Sequence, residues 1–468
     1  MRIAGHSIEV MSTAEVATIH RNALAILEKM GMQVQNEALL HTLADFGLPV
    51  DFTAQQVRFP PALVERFIAE ADKYDWDKAV PTLQVTAPVY HCLYHDPQSG
   101  ELLPWTEERL QNYYALARSL PDVDGGELLG CRFPIDQALE PLYERYYAWK
   151  YGVEEGGSIH TDELCPYVLE EYQVFASSQG KSLAEVFHGS VYLVPPLKLG
   201  VHEAYQVNYF REKGLRVSIG SMHALGSSAP VTLAGAVTLN LAEQLALRIL
   251  DWAWFGIKRL HLGGSIAVLD MRTTSYRSAP VERPIANLMN VQLARFYGAS
   301  YRGHADLTDA KLPSVEAGAQ KALNAVPLLL GGGNLWLPVG LLSADQVCSP
   351  IQMVLDHEQV GALKRFLHEF DVSDESIGLE TILEAGPGGQ YFDKEHTARH
   401  FRSEVWSPRV WQRSMLQPWI EGGRHIDADT ARAMVLKFEK ESRAENPSRL
   451  TAEEDRAILN IIACASSS

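Results

Sequence analysis

LRVSIGSMHALGSSAPVTLAGAVTLNLAEQLALRILDWAWFGIKRLHLGGSIAV, residues 215–268, decides the fold. Its first run, Leu215 to Met222, is short and apolar with β-branched members, and reads as a strand. From Ala229 to Phe255 apolar residues recur at helical spacing, and a second β-rich run covers Arg259 to Val268. Strand, helix, strand in this order is a βαβ unit, which implies a parallel sheet with right-handed crossovers. Asn240, Glu243, Arg248 and Asp251 interrupt the long helix, so it reads as a buried barrel helix rather than a membrane span.

The same rhythm extends in both directions. Extended runs are expected at Leu128 to Phe133, Val186 to Val194, Ser300 to Ala305 and Leu335 to Leu341. Helices are expected at Ile135 to Tyr151, His202 to Lys213, Val281 to Tyr297 and Val315 to Leu330. Six to eight such units in about 230 residues predict a (β/α)8 TIM barrel, with an open doubly wound sheet as the alternative. Upstream, Ser12 and Glu15 form a capping box for a helix that Gly31 stops. A second helix starts at Asn36, and Pro60 and Pro61 open a third. Thr86 to Leu103 reads as a hairpin turned by Asp96, Pro97, Ser99 and Gly100. The expected division is an N-terminal helical and hairpin extension (1–120), the barrel (121–390) and a C-terminal helical segment packed on it (391–468).

The chain has 468 residues, of which 46% are hydrophobic and 21% charged, which excludes disorder and a small stapled fold. Its 41 Lys and Arg stand against 58 Asp and Glu, a net charge of −17. A surface that acidic repels phosphate backbones and anionic membranes, so neither nucleic acid nor membrane is the expected partner. The start MRIAGHSIEV lacks a basic segment followed by an apolar one, and a cytoplasmic protein is expected. Five scattered cysteines (Cys92, Cys131, Cys165, Cys348, Cys464) without a CxxC read as reduced thiols.

Familiar catalytic motifs are missing. Gly331 to Gly333 and the GPGG from Gly386 match no nucleotide-binding pattern and read as turns. His396 and His400 are four apart, but Thr397 stands where a metalloprotease has Glu, and packing histidines are the plainer reading. His160, Asp162 and Cys165 have zinc-compatible chemistry without a paired motif. There is no GxSxG, no SxxK, and no DxHxxG of the kind that corrinoid-carrying domains use.

Seven collinear stretches carry a resemblance: IHRNALAILEKMGMQV from Ile19, RFPPALVERFIAEA from Arg58, SAPVTLAGAV from Ser228, VLDMRT from Val268, QLARFYG from Gln292, LTDAKLPSVEAG from Leu307 and GPGGQYFDKEHTARHFR from Gly386. Together they resemble the trimethylamine methyltransferase family, from about Ile19 to Phe438. The resemblance implies a barrel whose mouth binds a methylated amine and docks a separate protein carrying cobalamin, the corrinoid cofactor. The family's trimethylamine branch uses pyrrolysine. This sequence has only the standard twenty residues and looks like the branch that includes glycine betaine:corrinoid methyltransferases. Around Trp406 the chain reads WSPRVWQR, with Gln412 before Arg413, where the family commonly has an Asp-Arg pair.

A trimethylammonium head calls for aromatic faces, and a carboxylate tail for a donor. Barrel sites sit at the C-terminal ends of strands, where the sequence offers Trp336 as a cage residue, and His304 and His223 as substrate contacts. His160 joins them, and the resemblance adds Tyr94, with Tyr90 and His91, near the mouth. Arg272, Asp309 and Lys311 lie in matched motifs and are equally explained as loop ties. The expected function is methyl transfer from a quaternary or methylated amine, glycine betaine-like, to the Co(I) of a separate corrinoid protein, by a homo-oligomer. A non-catalytic quaternary-amine binding protein and a zinc-dependent enzyme on the same barrel stay open.

Overall fold

The computed structural model describes residues 8–130, 133–441 and 448–467. Cys131, Arg132 and the first seven residues, on which parts of the reading above fall, lie outside that set.

Eight of the short parallel-paired strands among the described residues frame the centre of the fold. In chain order they are β1 (Leu83–Val89), β2 (Gly125–Leu128), β3 (Glu154–Glu155), β4 (Gly189–Tyr192), β5 (Val217–Gly220), β6 (His261–Leu262), β7 (Ser300–His304) and β8 (Asn334–Pro338). Six form one parallel sheet in the order β6-β7-β8-β1-β2-β3, and β4 pairs with β5. The backbone N–H of Ser190 in β4 donates to Gly157 O just past β3 at 2.8 Å. The fold is therefore mixed α/β around a curled parallel sheet.

The sequence placed β1 in an N-terminal hairpin. It lies instead at the centre of the sheet, with Trp336 opposite Gln84 and Thr86 opposite Gly125. Its run LQVTAPV is buried on both faces over its last five residues, as a parallel strand covered on both sides must be. The true hairpin is shorter and pairs Leu93–His95 with Leu102–Leu103. The strand expected at Leu128 to Phe133 sits earlier, at Gly125–Leu128, because its register follows β1 and ends where β1 ends. Within Val186 to Val194 only Gly189–Tyr192 is strand; Ser182 and Glu185 form a capping box that turns Leu183–Val186 into helix.

The helices follow their caps closely. Thr13–Lys29 starts at Ser12, Glu37–Asp45 at Asn36, and Val315–Leu330 at Ser314, each N-cap side chain accepting from the backbone N–H three residues on. The long helix spans Leu233–Phe255. It is the one helix among the described residues long and apolar enough to cross a membrane, and 78% of its most apolar window is buried within the chain. It packs beside Thr13–Lys29 and buries Asn240 and Glu243 toward the sheet.

Past the sheet, strands Met222–Leu225, Ser265–Asp270 and Ser275–Arg277 build a three-stranded wall. The LTDAK segment braces it: Asp309 accepts from Arg277 Nε at 2.9 Å and from the Ser278 backbone at 2.8 Å. The same segment holds the loop after β8, where Ser343 N and Ala344 N donate to Ala310 O and Thr308 O.

Candidate active site

A cavity of about 710 Å³ runs inside the curl of strands and is lined from every one of the eight, or from the residues that follow them. Period-two alternation aims Arg302 and His304 of β7 to this same side. At one end, Arg302 donates through Nη1 to Gln84 Oε1. From Gln84 to Tyr90 is six residues, so the cavity spans roughly 20 Å along β1.

Midway, the Trp336 indole N–H donates to Thr86 Oγ1 at 2.8 Å, and the Thr86 hydroxyl donates to Glu127 Oε2 at 3.1 Å. Burial pushes the Glu127 carboxyl up to about 7, the Thr86 hydrogen bond opposing it only in part. The His304 ring lies 4.5 Å from the Trp336 ring, tilted by 39°. Burial first, then Arg283, Lys321 and Arg302, hold His304 well below the usual imidazole range, so it is neutral. Its Nε2 is buried with no hydrogen-bond partner among the described residues.

Nearer the strand ends stand Tyr90, Tyr192 and Asp345. Burial pushes the Tyr90 hydroxyl well above the phenol range, and the charges of Asp345 and Glu127 add to it. Asp345 closes a run of three left-handed residues, Ser343 (φ 57°), Ala344 (φ 52°) and Asp345 (φ 67°). Such backbone costs an L-residue about 1 kcal/mol or more and persists where the surroundings impose it. Burial raises the Asp345 carboxyl to about 6, with Arg283 and Lys321 pulling the other way.

Behind β7 and β8, Lys321 Nζ donates to Asp306 Oδ2 at 2.9 Å and to Asp356 Oδ2 at 2.7 Å, all three buried. Asp356 also accepts from the Gly340 N–H and from Gln352. This cluster fixes the chain just beyond both strands without entering the cavity.

Of the residues singled out in the sequence, Trp336 and His304 come together in the cavity, and Tyr90 lines it. Tyr94 is buried elsewhere, against Trp105, with its hydroxyl 3.5 Å from Glu439. His223 Nε2 lies 2.8 Å from Glu243 Oε2, both fully buried beside the cavity wall. His160 sits on an exposed left-handed turn after β3, its backbone O accepting from Gln206. Asp162 pairs with His202 at 2.9 Å, burial raises the Cys165 thiol to about 12, and His160, Asp162 and Cys165 do not form a group able to hold a metal ion. His396 binds backbone oxygens of Glu375 and Ser376 through Nε2. Among the described residues no group of three or more His, Cys, Asp or Glu side chains is arranged to hold a metal ion. Glu127, Asp345, Tyr192 and Arg302 were not singled out. Arg302 had a signal, since it shares a strand face with His304.

The family model described as trimethylamine methyltransferase (MTTB) matches residues 2–81 and 172–464. The chain belongs to the trimethylamine methyltransferase family. Relatives include the trimethylamine methyltransferase MttB of Desulfitobacterium hafniense (strain DSM 10664 / DCB-2), 23% identical over 446 residues, covering 90% of this chain and 87% of the relative. The MttB of Methanosarcina thermophila is 23% identical and covers 92% of this chain and 93% of the relative. The glycine betaine methyltransferase of Desulfitobacterium hafniense (strain Y51) is 28% identical over 88% of each. The crystal structure of the hydroxylamine MtmB complex aligns over 92% of both chains with 11% identity and a TM-score of 0.44.

Proposed function

We propose that this family member takes a methyl group from a quaternary or methylated amine of glycine betaine type and hands it to the Co(I) of a corrinoid carried by a separate protein. The observation that carries the reading is the polarity of the cavity. Aromatic faces and two carboxylates, Asp345 and Glu127, occupy its open and middle parts, and Arg302 stands at the far end. A trimethylammonium head suits the rings of Trp336, Tyr90 and Tyr192, and a carboxylate tail reaching inward would meet Arg302. The Arg302 guanidinium has no ion-paired carboxylate among the described residues, which leaves it able to take one.

The same geometry supports closure of the eight strands into a (β/α)8 barrel, with the segment before Leu83 and the helices after 390 arranged around it. The Ser190–Gly157 hydrogen bond bridges the chain just past β3 to β4, and residues from the eight strands or from the segments that follow them surround one space.

A corrinoid fits the mouth rather than the interior. Met222 and Tyr276 are exposed on the wall beside the opening, with Tyr276 Oη 3.3 Å from Met222 Sδ, and Tyr192, paired with Gly220 on the neighbouring strand, is exposed as well. These offer apolar surface to the edge of a macrocycle. When delivered, Co(I) supplies the nucleophile. The chain's own residues then have three tasks: to hold the nitrogen so that one methyl points outward, to exclude water, and to manage charge. A quaternary nitrogen leaves as a neutral amine and needs no general acid. Its positive charge vanishes in the reaction, so a permanently charged carboxylate would favour substrate over transition state. Glu127, poised near neutrality, is charged beside the cation and regains its proton readily once the cation is gone.

Mixing the full chain with cob(I)alamin and a panel of glycine betaine, tetramethylammonium and trimethylamine tests this. Methyl-cobalt formation with at least one amine is expected. Trp336→Leu should raise KM roughly tenfold, the worth of one cation–π contact. Binding without methyl transfer to cobalt for every amine would overturn the assignment.

A further inference from the structure

The longest stretch of poorly buried chain lies far from the cavity. Helices Asp374–Ile377, Leu379–Ala385, Glu395–Glu404 and Leu416–Glu421 bury none of their residues. Of the 37 exposed large hydrophobic residues among the described ones, 15 fall between Phe366 and Ile426, including Leu383, Phe392, Phe401, Met415 and Leu416. Together they expose on the order of 1,500 Å², against about 800 Å² per partner in a standard interface. Helices this short do not hold in water by propensity, and apolar patches of this size mark interaction surfaces. Beside them a groove of about 380 Å³ opens between helices Val315–Leu330 and Pro350–Leu367, lined by Val326, Leu355, Leu363, Phe366 and Trp411.

We propose that this face, residues 366–426 with the adjoining groove, is the interface between two copies of the chain. The charge pattern identifies the occupant. Residues 366–393 carry seven Asp or Glu and no Lys or Arg, whereas residues 394–426 carry six Lys or Arg against three acids. Lys394 and Arg399 are answered within the chain by Glu384 and Glu375. Asp371, Asp374 and Glu380 on the acidic half, and Arg402, Arg413 and Arg424 on the basic half, make no ion pair among the described residues. A two-fold axis lays the acidic half of one copy on the basic half of the other, the self-complementarity that an isologous contact needs. A corrinoid carrier is a poorer occupant on two counts. It must reach the cavity, which no residue of this face lines, and it must leave in every cycle, which would return the apolar surface to water.

Sedimentation equilibrium of the full chain at micromolar concentration is expected to give the mass of two chains or an even multiple. Leu383→Glu with Phe392→Glu should shift the dimer dissociation constant at least a hundredfold, with the far-ultraviolet spectrum of the barrel helices kept. Should that variant fail to fold, Glu380→Arg should weaken the dimer about tenfold, and adding Arg402→Glu should restore it. A monomeric wild type overturns the proposal in favour of another protein as the cover. So does a mass unchanged by the substitutions. Neither result bears on methyl transfer, which cob(I)alamin assays read separately.

Discussion

At the scale of single residues, the Glu127 carboxyl is the group whose behaviour can be read most directly in solution. Below about pH 7 it is neutral and offers a cation nothing; above, it is an anion in a place that water barely reaches. Binding of a quaternary amine, followed by calorimetry, should tighten as pH rises from 6 to 8 and release protons at the lower end. Glu127→Gln should flatten that profile. The folded state also holds this proton more tightly than the unfolded chain does. The stability Glu127 contributes is therefore complete below the ordinary carboxyl pKa and lost as pH climbs through about 7. Trp336 and His304 were legible in the sequence because each stands in a β-rich run whose C-terminal end must face the site. Glu127 and Asp345 were not, since the inward direction of the first depends on a register set by β1, and that of the second on a left-handed turn with no glycine to announce it.

Among the elements, the first two helices begin where the sequence put them because their caps are local chemistry, Ser12 with Glu15 and Asn36 before Glu37, whereas the helices expected from Ile135 and Ala229 start later, at Glu140 and Leu233. Strand β1 was misplaced because a strand covered on both faces lacks the alternation that would tell a sheet strand from a surface hairpin. Glycines at element ends allow a sharp test. Gly31 has φ +67°, and a Cβ there would sit 2.2 Å from Val57 O, a backbone atom that cannot retreat. Gly47 has φ +98° with nothing within 4 Å. Gly47→Ala should cost only the left-handed penalty of about 1 kcal/mol. Gly31→Ala should cost at least about 2 kcal/mol more, through displacement of the strand that carries Val57. Chemical denaturation of the two variants compares them; equal losses would mean that the helix end, not the neighbouring strand, sets the requirement.

For the molecule as a whole, the Asp306–Lys321–Asp356 cluster joins two helices to the chain just beyond β7 and β8. Burial and the neighbouring Asp356 raise the Asp306 carboxyl to about 7 in spite of Lys321. Lys321→Met would leave two buried carboxyls side by side, and a loss of about 3–5 kcal/mol in urea unfolding is expected. Part should return when Asp306→Asn is added, because one of the stranded charges goes. The sequence revealed the alternation of strands and helices and the family, since both are written in many residues at once. The long-range pairings that bring LTDAK to the loop after β8 are written in none.

That last pairing has a consequence for how the pocket can change. The unusual backbone at 343–345 is pinned through amide contacts to Thr308 and Ala310, residues that lie outside the cavity lining. Altering this remote brace would swing an acidic group by an ångström or so without touching any atom that meets the ligand. Substrate preference in related chains is then open to drift through scaffold positions that a comparison of pocket linings alone would pass over.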